Sequence, residues 1–103
     1  MGYTIPSFEV YRTEEFSGWL ESLRDRRVKG RIATRINRVQ LGNLGDVRSV
    51  GGGISEMRID AGAGYRVYFA LRERIIIILL CGGDKSNQAR DIARVPDIAL
   101  RYV

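Results

Sequence analysis

The sequence of 103 residues contains no histidine and a single cysteine, Cys81. These two shortages remove whole classes of chemistry. One cysteine allows no internal disulfide, and without histidine there is neither a Cys/His or Cys-rich zinc site nor a Ser-His or Cys-His nucleophilic pair. Cys81 ends an apolar run and reads as a small buried hydrophobe. Long apolar runs are also missing: the longest, Ile75–Cys81, is far too short to cross a bilayer and reads as a buried strand. The start, MGYTIPSFEV, has no basic residue followed by an apolar core, so no export signal is expected and a cytoplasmic location is. There is no linker, repeat or low-complexity segment. The length therefore predicts one domain over residues 1–103.

What is present is a globular composition with a cationic bias. Hydrophobic residues make up 45% and charged residues 28%, which separates the chain from disordered sequences. Seventeen Lys and Arg stand against twelve Asp and Glu, a net charge of +5. A surface of this sign favours nucleic acid, the ribosome or an acidic protein. All but two of the cations, Lys29 and Lys85, are arginine. The guanidinium fork matches phosphate and carboxylate oxygens better than solubility alone requires.

Periodicity predicts an order β-α-α-β-β-β-α. SFEVY (Ser7–Tyr11) alternates like a short strand. Thr13 is placed to cap a helix with Glu14 and Glu15 in its first turn, followed by an apolar stripe of Phe16, Trp19, Leu20 and Leu23. A second helix is expected from about Arg26 to Leu41, burying Val28, Ile32, Ile36 and Val39, with Gly42-Asn43 as its stop. Its remaining faces carry Arg27, Lys29, Arg31, Arg35 and Arg38. Glycine-punctuated strands follow, within GNLGDVRSVGGG, EMRID, YRVYF and RIIIILLCGG. Their connections are too short for parallel crossovers. Ser86 is placed to cap a last helix through Val95, before Pro96. The fold class is α+β: an N-terminal strand, a two-helix hairpin on one face of a mainly antiparallel sheet, and a short C-terminal helix.

Two glycine-rich stretches fail as nucleotide loops. GGDKS lacks the upstream glycine and the Gly-Lys pair of a phosphate-binding loop, and GAG at Gly62–Gly64 leads into a strand rather than a helix. What remains is a cationic sheet. Strand alternation turns Met57 and Ile59 one way and Glu56, Arg58 and Asp60 the other, and in the next strand sets Tyr65, Val67 and Phe69 against Arg66 and Tyr68. A register pairing Arg58 with Arg66 and Glu56 with Tyr68 brings both apolar sets to the helix-covered face and both polar sets to an open face. Two arginines directly opposite repel unless an anion lies between them. Glu56, Asp60 or a bound phosphate would each serve.

The segments GNLGDVRSVGGGISEMRIDAGAGYRVYF and IIILLCGGDKSNQARDI, with WLESLRDRRVKGRIATRI before them, resemble the RelE/ParE toxin superfamily, in particular its HigB-like "addiction module killer protein" branch. The likeness runs from about Phe16 to Ile92. It implies a toxin held inactive by a cognate antitoxin, one that in the RelE arm cuts mRNA on the ribosome and in the ParE arm poisons DNA gyrase. RelE-type sites carry basic residues on the strand before the G-Y-R turn, at that turn and after the last strand, which match Arg58, Arg66 and Lys85. A basic residue usual at Glu56 is replaced by a carboxylate, and the aromatic general base of RelE-type chains falls near Asp91.

Chemistry of that kind needs no metal or cofactor: the ribose 2′-hydroxyl attacks its own phosphate. It requires a proton acceptor, a proton donor for the leaving 5′-oxygen, and cations on the phosphate oxygens. Arg58 and Arg66 are expected to hold the phosphate and Lys85 to stabilise charge or donate a proton. Glu56 or Asp91 would be the base, unless Glu56 is a structural ion-pair partner. Arg31, Arg35 and Arg38 form a helical stripe suited to RNA, or a solvated face. Tyr68 would stack on a base or pack as a core aromatic.

Overall fold

A computed structural model describes residues 7–102. Residues 1–6, on which the export-signal reading partly rests, and residue 103 lie outside the described residues. The elements are β1 (Glu9–Arg12), α1 (Glu14–Ser22), α2 (Arg26–Gln40), β2 (Val47–Gly51), β3 (Ile54–Arg58), β4 (Arg66–Arg72), β5 (Ile76–Gly83), a 3-10 turn (Lys85–Asn87) and α3 (Gln88–Leu100). The sheet runs β1-β5-β4-β3-β2. β1 lies parallel to β5, and the other pairs are antiparallel. This is the expected α+β architecture.

Local chemistry places the helices. The Thr13 side chain accepts from the Phe16 N–H at 3.0 Å and donates to the Leu80 carbonyl at 2.7 Å, so one buried residue both starts α1 and ties it to β5. Asp25 accepts from the N–H groups of Arg27 and Val28 and starts α2. Val28, Ile32, Ile36 and Val39 are all buried, each contributing roughly 1.5–3 kcal/mol of apolar transfer. They join Phe16, Met57, Val67, Phe69, Ile77 and Leu79 in one core between the helix pair and the sheet.

The second face of the sheet departs from expectation. It is not open: Tyr68, Ala70, Leu80 and Cys81 pack there against Val95, Ile98 and Ala99 of α3. β5 is thus covered on both faces, which is why it reads as a continuous apolar run rather than an alternation. The last helix neither starts at Ser86 nor stops before Pro96. Asp84 caps the 3-10 turn, its carboxylate accepting from the Ser86 N–H at 2.8 Å, and α3 follows from Asn87 without a side-chain cap. α3 then continues through Pro96 to Leu100. Proline removes one helical hydrogen bond, but Pro96 is itself exposed. Burial of Val95 before it and Ile98 and Ala99 after it offsets that loss.

Candidate functional site

The β3–β4 register pairs Arg58 with Arg66 and Glu56 with Tyr68. The two arginines do face each other across the strands, and the anion between them is supplied by the chain. Glu56 is fully buried. Its Oε1 lies 3.4 Å from Arg58 Nε and 3.7 Å from Arg48 Nε, and its Oε2 lies 3.4 Å from Arg66 Nε. Gln88, at the start of α3, donates its amide to Oε2 at 2.9 Å. Burial pushes the Glu56 carboxyl up. The Gln88 and Arg58 hydrogen bonds, with the charges of Arg66 and Arg48, outweigh burial and hold it below the ordinary glutamate value. Such a carboxylate is a weak proton acceptor.

Each arginine approaches Glu56 through Nε. The Arg66 side chain is 12% exposed and directs Nη1 onto the Gly64 carbonyl at 2.6 Å. Those of Arg58 and Arg48 are 42% and 54% exposed. Three guanidiniums against one carboxylate make this end of the sheet an anion-attracting ring. Lys85 joins it across the hairpin loop: its N–H donates to the Ala63 carbonyl at 3.2 Å. Gly64, at φ +72°, separates its side chain from Arg66, since a Cβ there would stand 3.2 Å from Lys85 Cβ and 3.3 Å from Arg66 Nη1. A larger residue would both strain the backbone and push the two cations apart.

Asp91 lies in the first turn of α3, one turn after Gln88, turned onto Gly83 of β5 and 4% exposed. Its Oδ2 has no hydrogen-bond partner among the described residues, and its Oδ1 is 3.8 Å from Arg94 Nε. Burial raises its carboxyl, opposed by Arg94 and Arg90 and reinforced by Asp84. Tyr68 requires a correction as an RNA contact. It is fully buried, so no ring face is available to a base. Burial, then the charges of Glu56 and Asp91, raises its hydroxyl far above the usual tyrosine value.

The α2 arginines border the ring. Arg31 donates to the Asp60 carbonyl at 3.1 Å, and Arg35 donates to the carbonyls of Arg58 and, at 2.9 Å, Leu44. Arg35 therefore pins the end of β3 as well as carrying charge. A groove of about 570 Å³ runs along Arg27, Arg31, Arg35 and Arg38 to Ile59 and Asp60. It adjoins a cavity of about 460 Å³ lined by Arg35, Asp46, Arg58, Asp60, Tyr65 and Arg66 among others. The arrangement can bind an extended polyanion: a phosphate at the ring and its neighbours along α2.

Arg48 and Gln88 were not apparent from the sequence. Arg48 had a signal, because β2 and β3 place it directly opposite Glu56. That register is obscured by an irregularity between Ser49 and Gly51. Gln88 reaches Glu56 only through the packing of α3, and nothing local marks it.

Residues 18–102 match the family described as phage derived protein Gp49-like (DUF891), and the chain belongs to that family. An uncharacterized protein of Haemophilus influenzae is 46% identical over 93 residues, covering 90% of this chain and 94% of the relative. Among solved structures, a doubly substituted mutant of E. coli toxin RelE in the free state matches with a TM-score of 0.66 and 11% identity, over 94% of this chain and 98% of that one. At that identity the likeness is one of fold. The family and the fold agree with the RelE/ParE resemblance carried by the motifs.

Proposed function

We propose that this chain is the toxin of a type II toxin–antitoxin pair, a single HigB-like RelE/ParE domain over residues 1–103 that cleaves mRNA with the ribosome in the cytoplasm. The observation that carries this reading is the convergence of Arg48, Arg58 and Arg66 on the buried Glu56, each with its Nε nearest the carboxylate. An RNA phosphate received there meets donors matched to its oxygens, in a site partly removed from water where charge stabilisation is strongest. As the 2′-hydroxyl attacks, the arginines balance the charge that grows on the non-bridging oxygens. Lys85 protonates the departing 5′-oxygen. Glu56 holds the ring together. Asp91 has the greater basicity of the two carboxyls and Glu56 the nearer position; neither combines both, so the proton of the 2′-hydroxyl passes to water. No metal or cofactor enters these steps. A cognate antitoxin with an acidic segment is the natural partner of this surface.

The depressed basicity of Glu56, the carboxylate at the centre of the ring, favours a second reading. In it the surface is a binding module without catalysis, as in a ParE-like gyrase inhibitor or a nontoxic RNA-binding relative. Primer extension on cellular mRNA after induced expression separates the two. Discrete cuts within reading frames, absent with Arg66→Ala, support the nuclease. Intact mRNA with induction of the DNA-damage response supports the gyrase inhibitor.

A further inference from the structure

Two carboxylates sit where a pure phosphate site would exclude them. Asp46 and Asp60 line the 460 Å³ cavity beside Arg58 and Arg66. Both residues are exposed, and among the described residues neither side chain has an ion-pair or hydrogen-bond partner. Their backbone carbonyls are used, Asp46 accepting from the Arg58 N–H at 3.0 Å and Asp60 from Arg31, so the main chain at each is pinned while its acid group stays free. The charge of Asp46 acts on Arg35 without closing to an ion pair. For phosphate alone these acids are a cost, because like charges repel. They are useful to a ligand that brings hydrogen-bond donors next to its phosphate, since an ionised carboxylate accepts and cannot donate.

Resting on the reading of the arginine ring as an RNA-phosphate site, we infer that this cavity is a base-recognition subsite and that Asp46 and Asp60 select a nucleotide whose base carries an exocyclic amine. The ring fixes the backbone and the carboxylates read the base edge, the usual division of labour between phosphate and base contacts. The cavity is of the size that holds small-molecule ligands. Tyr65 is the aromatic residue of its lining. It is half-buried and held against Trp19, with ring centroids 6.3 Å apart, so it gives the base a fixed wall. Cytosine against uracil is the sharpest contrast, because the rings have the same size and differ in an amine donor against a carbonyl acceptor. The amine meets a carboxylate, whereas the uracil carbonyl is repelled by it.

The test is fluorescence anisotropy of the purified full chain with labelled pentacytidylate and pentauridylate. The wild type should bind the cytidine oligomer about tenfold more tightly, the scale of one good base contact. The Asp46→Asn/Asp60→Asn double variant should lose that preference while keeping or strengthening its hold on the uridine oligomer, because it sheds two negative charges at exposed positions that do not endanger the fold. Wild-type binding without preference overturns the subsite and leaves the phosphate ring standing. A preference that survives in the double variant shows that other groups read the base and also overturns it. If the wild type binds neither oligomer, the phosphate-ring reading and this inference fail together.

Discussion

Replacing Glu56 by glutamine tests whether the buried carboxylate is the keystone of the arginine ring or its catalytic base. The substitution keeps shape and removes one charge. The carboxylate accepts from Gln88 at 2.9 Å and from Arg58 at 3.4 Å, and hydrogen bonds to a charged group contribute roughly 1.5–3 kcal/mol. Arg66, 12% exposed, is left without its counter-ion; breaking a fully buried pair costs about 3–5 kcal/mol. The pairs with Arg48 and Arg58 are half-exposed and add at most about 1 kcal/mol each. Relief of the carboxylate's own desolvation works in the opposite direction. The balance is a loss of about 2–3 kcal/mol, a fall of about 1–2 M in the urea midpoint.

The sign of the pH dependence follows from the folded carboxyl lying below its unfolded value. Its contribution is fully present above about pH 4.3, the usual glutamate value, and is lost as pH falls through the depressed folded value. The gap between wild type and Glu56→Gln should therefore be full at pH 7 and close under acid conditions. A variant as stable as wild type at pH 7, or a gap unchanged into acid, would refute the keystone argument. Growth arrest should persist in the variant at permissive temperature. A folded variant that binds RNA normally but no longer cleaves would instead make Glu56 the base.

Arg66→Ala should lower stability by about 1–3 kcal/mol in urea titrations, because it removes the most buried partner of a buried carboxylate, and it should abolish growth arrest. Arg48→Ala, half-exposed, should stay within about 1 kcal/mol of wild type yet reduce the salt slope of RNA binding by about one. Gly82→Ala should lose about 1–3 kcal/mol by calorimetry through overpacking, because its Cβ would collide with the Trp19 ring. Gly18→Ala, in α1 with nothing within 4 Å, should gain up to about 1 kcal/mol; equal effects at the two glycines would contradict the packing described. RNA cleavage should continue in chelator once the ribosome's magnesium requirement is met, and a loss restored only by a transition metal would overturn the proposed chemistry.

The β3–β4 pairing was legible in EMRIDAGAGYRVYF because strand alternation rules out every register that puts Met57 and Val67 on opposite faces, and the two are a cross-strand pair in the structure. The buried stripe of α2 was legible for the same reason, periodicity tied to one apolar face. The far face of the sheet was not. Local chemistry at Pro96 argues for a helix end, and only the burial of Val95, Ile98 and Ala99 against the sheet carries α3 past it. That single tertiary contact changes the character of the site. With α3 in place, the row that reads as one polar face divides into a buried half, Glu56 and Tyr68, and a rim of Arg48, Arg58 and Lys85. Gln88 and the arginines around the buried carboxylate make Glu56 a counter-ion rather than a candidate base, and burial removes Tyr68 from any ligand. Because Gln88 belongs to α3 and bonds directly to Glu56, the same docking that buries Val95, Ile98 and Ala99 also brings to the carboxylate one of the hydrogen bonds that hold it ionised.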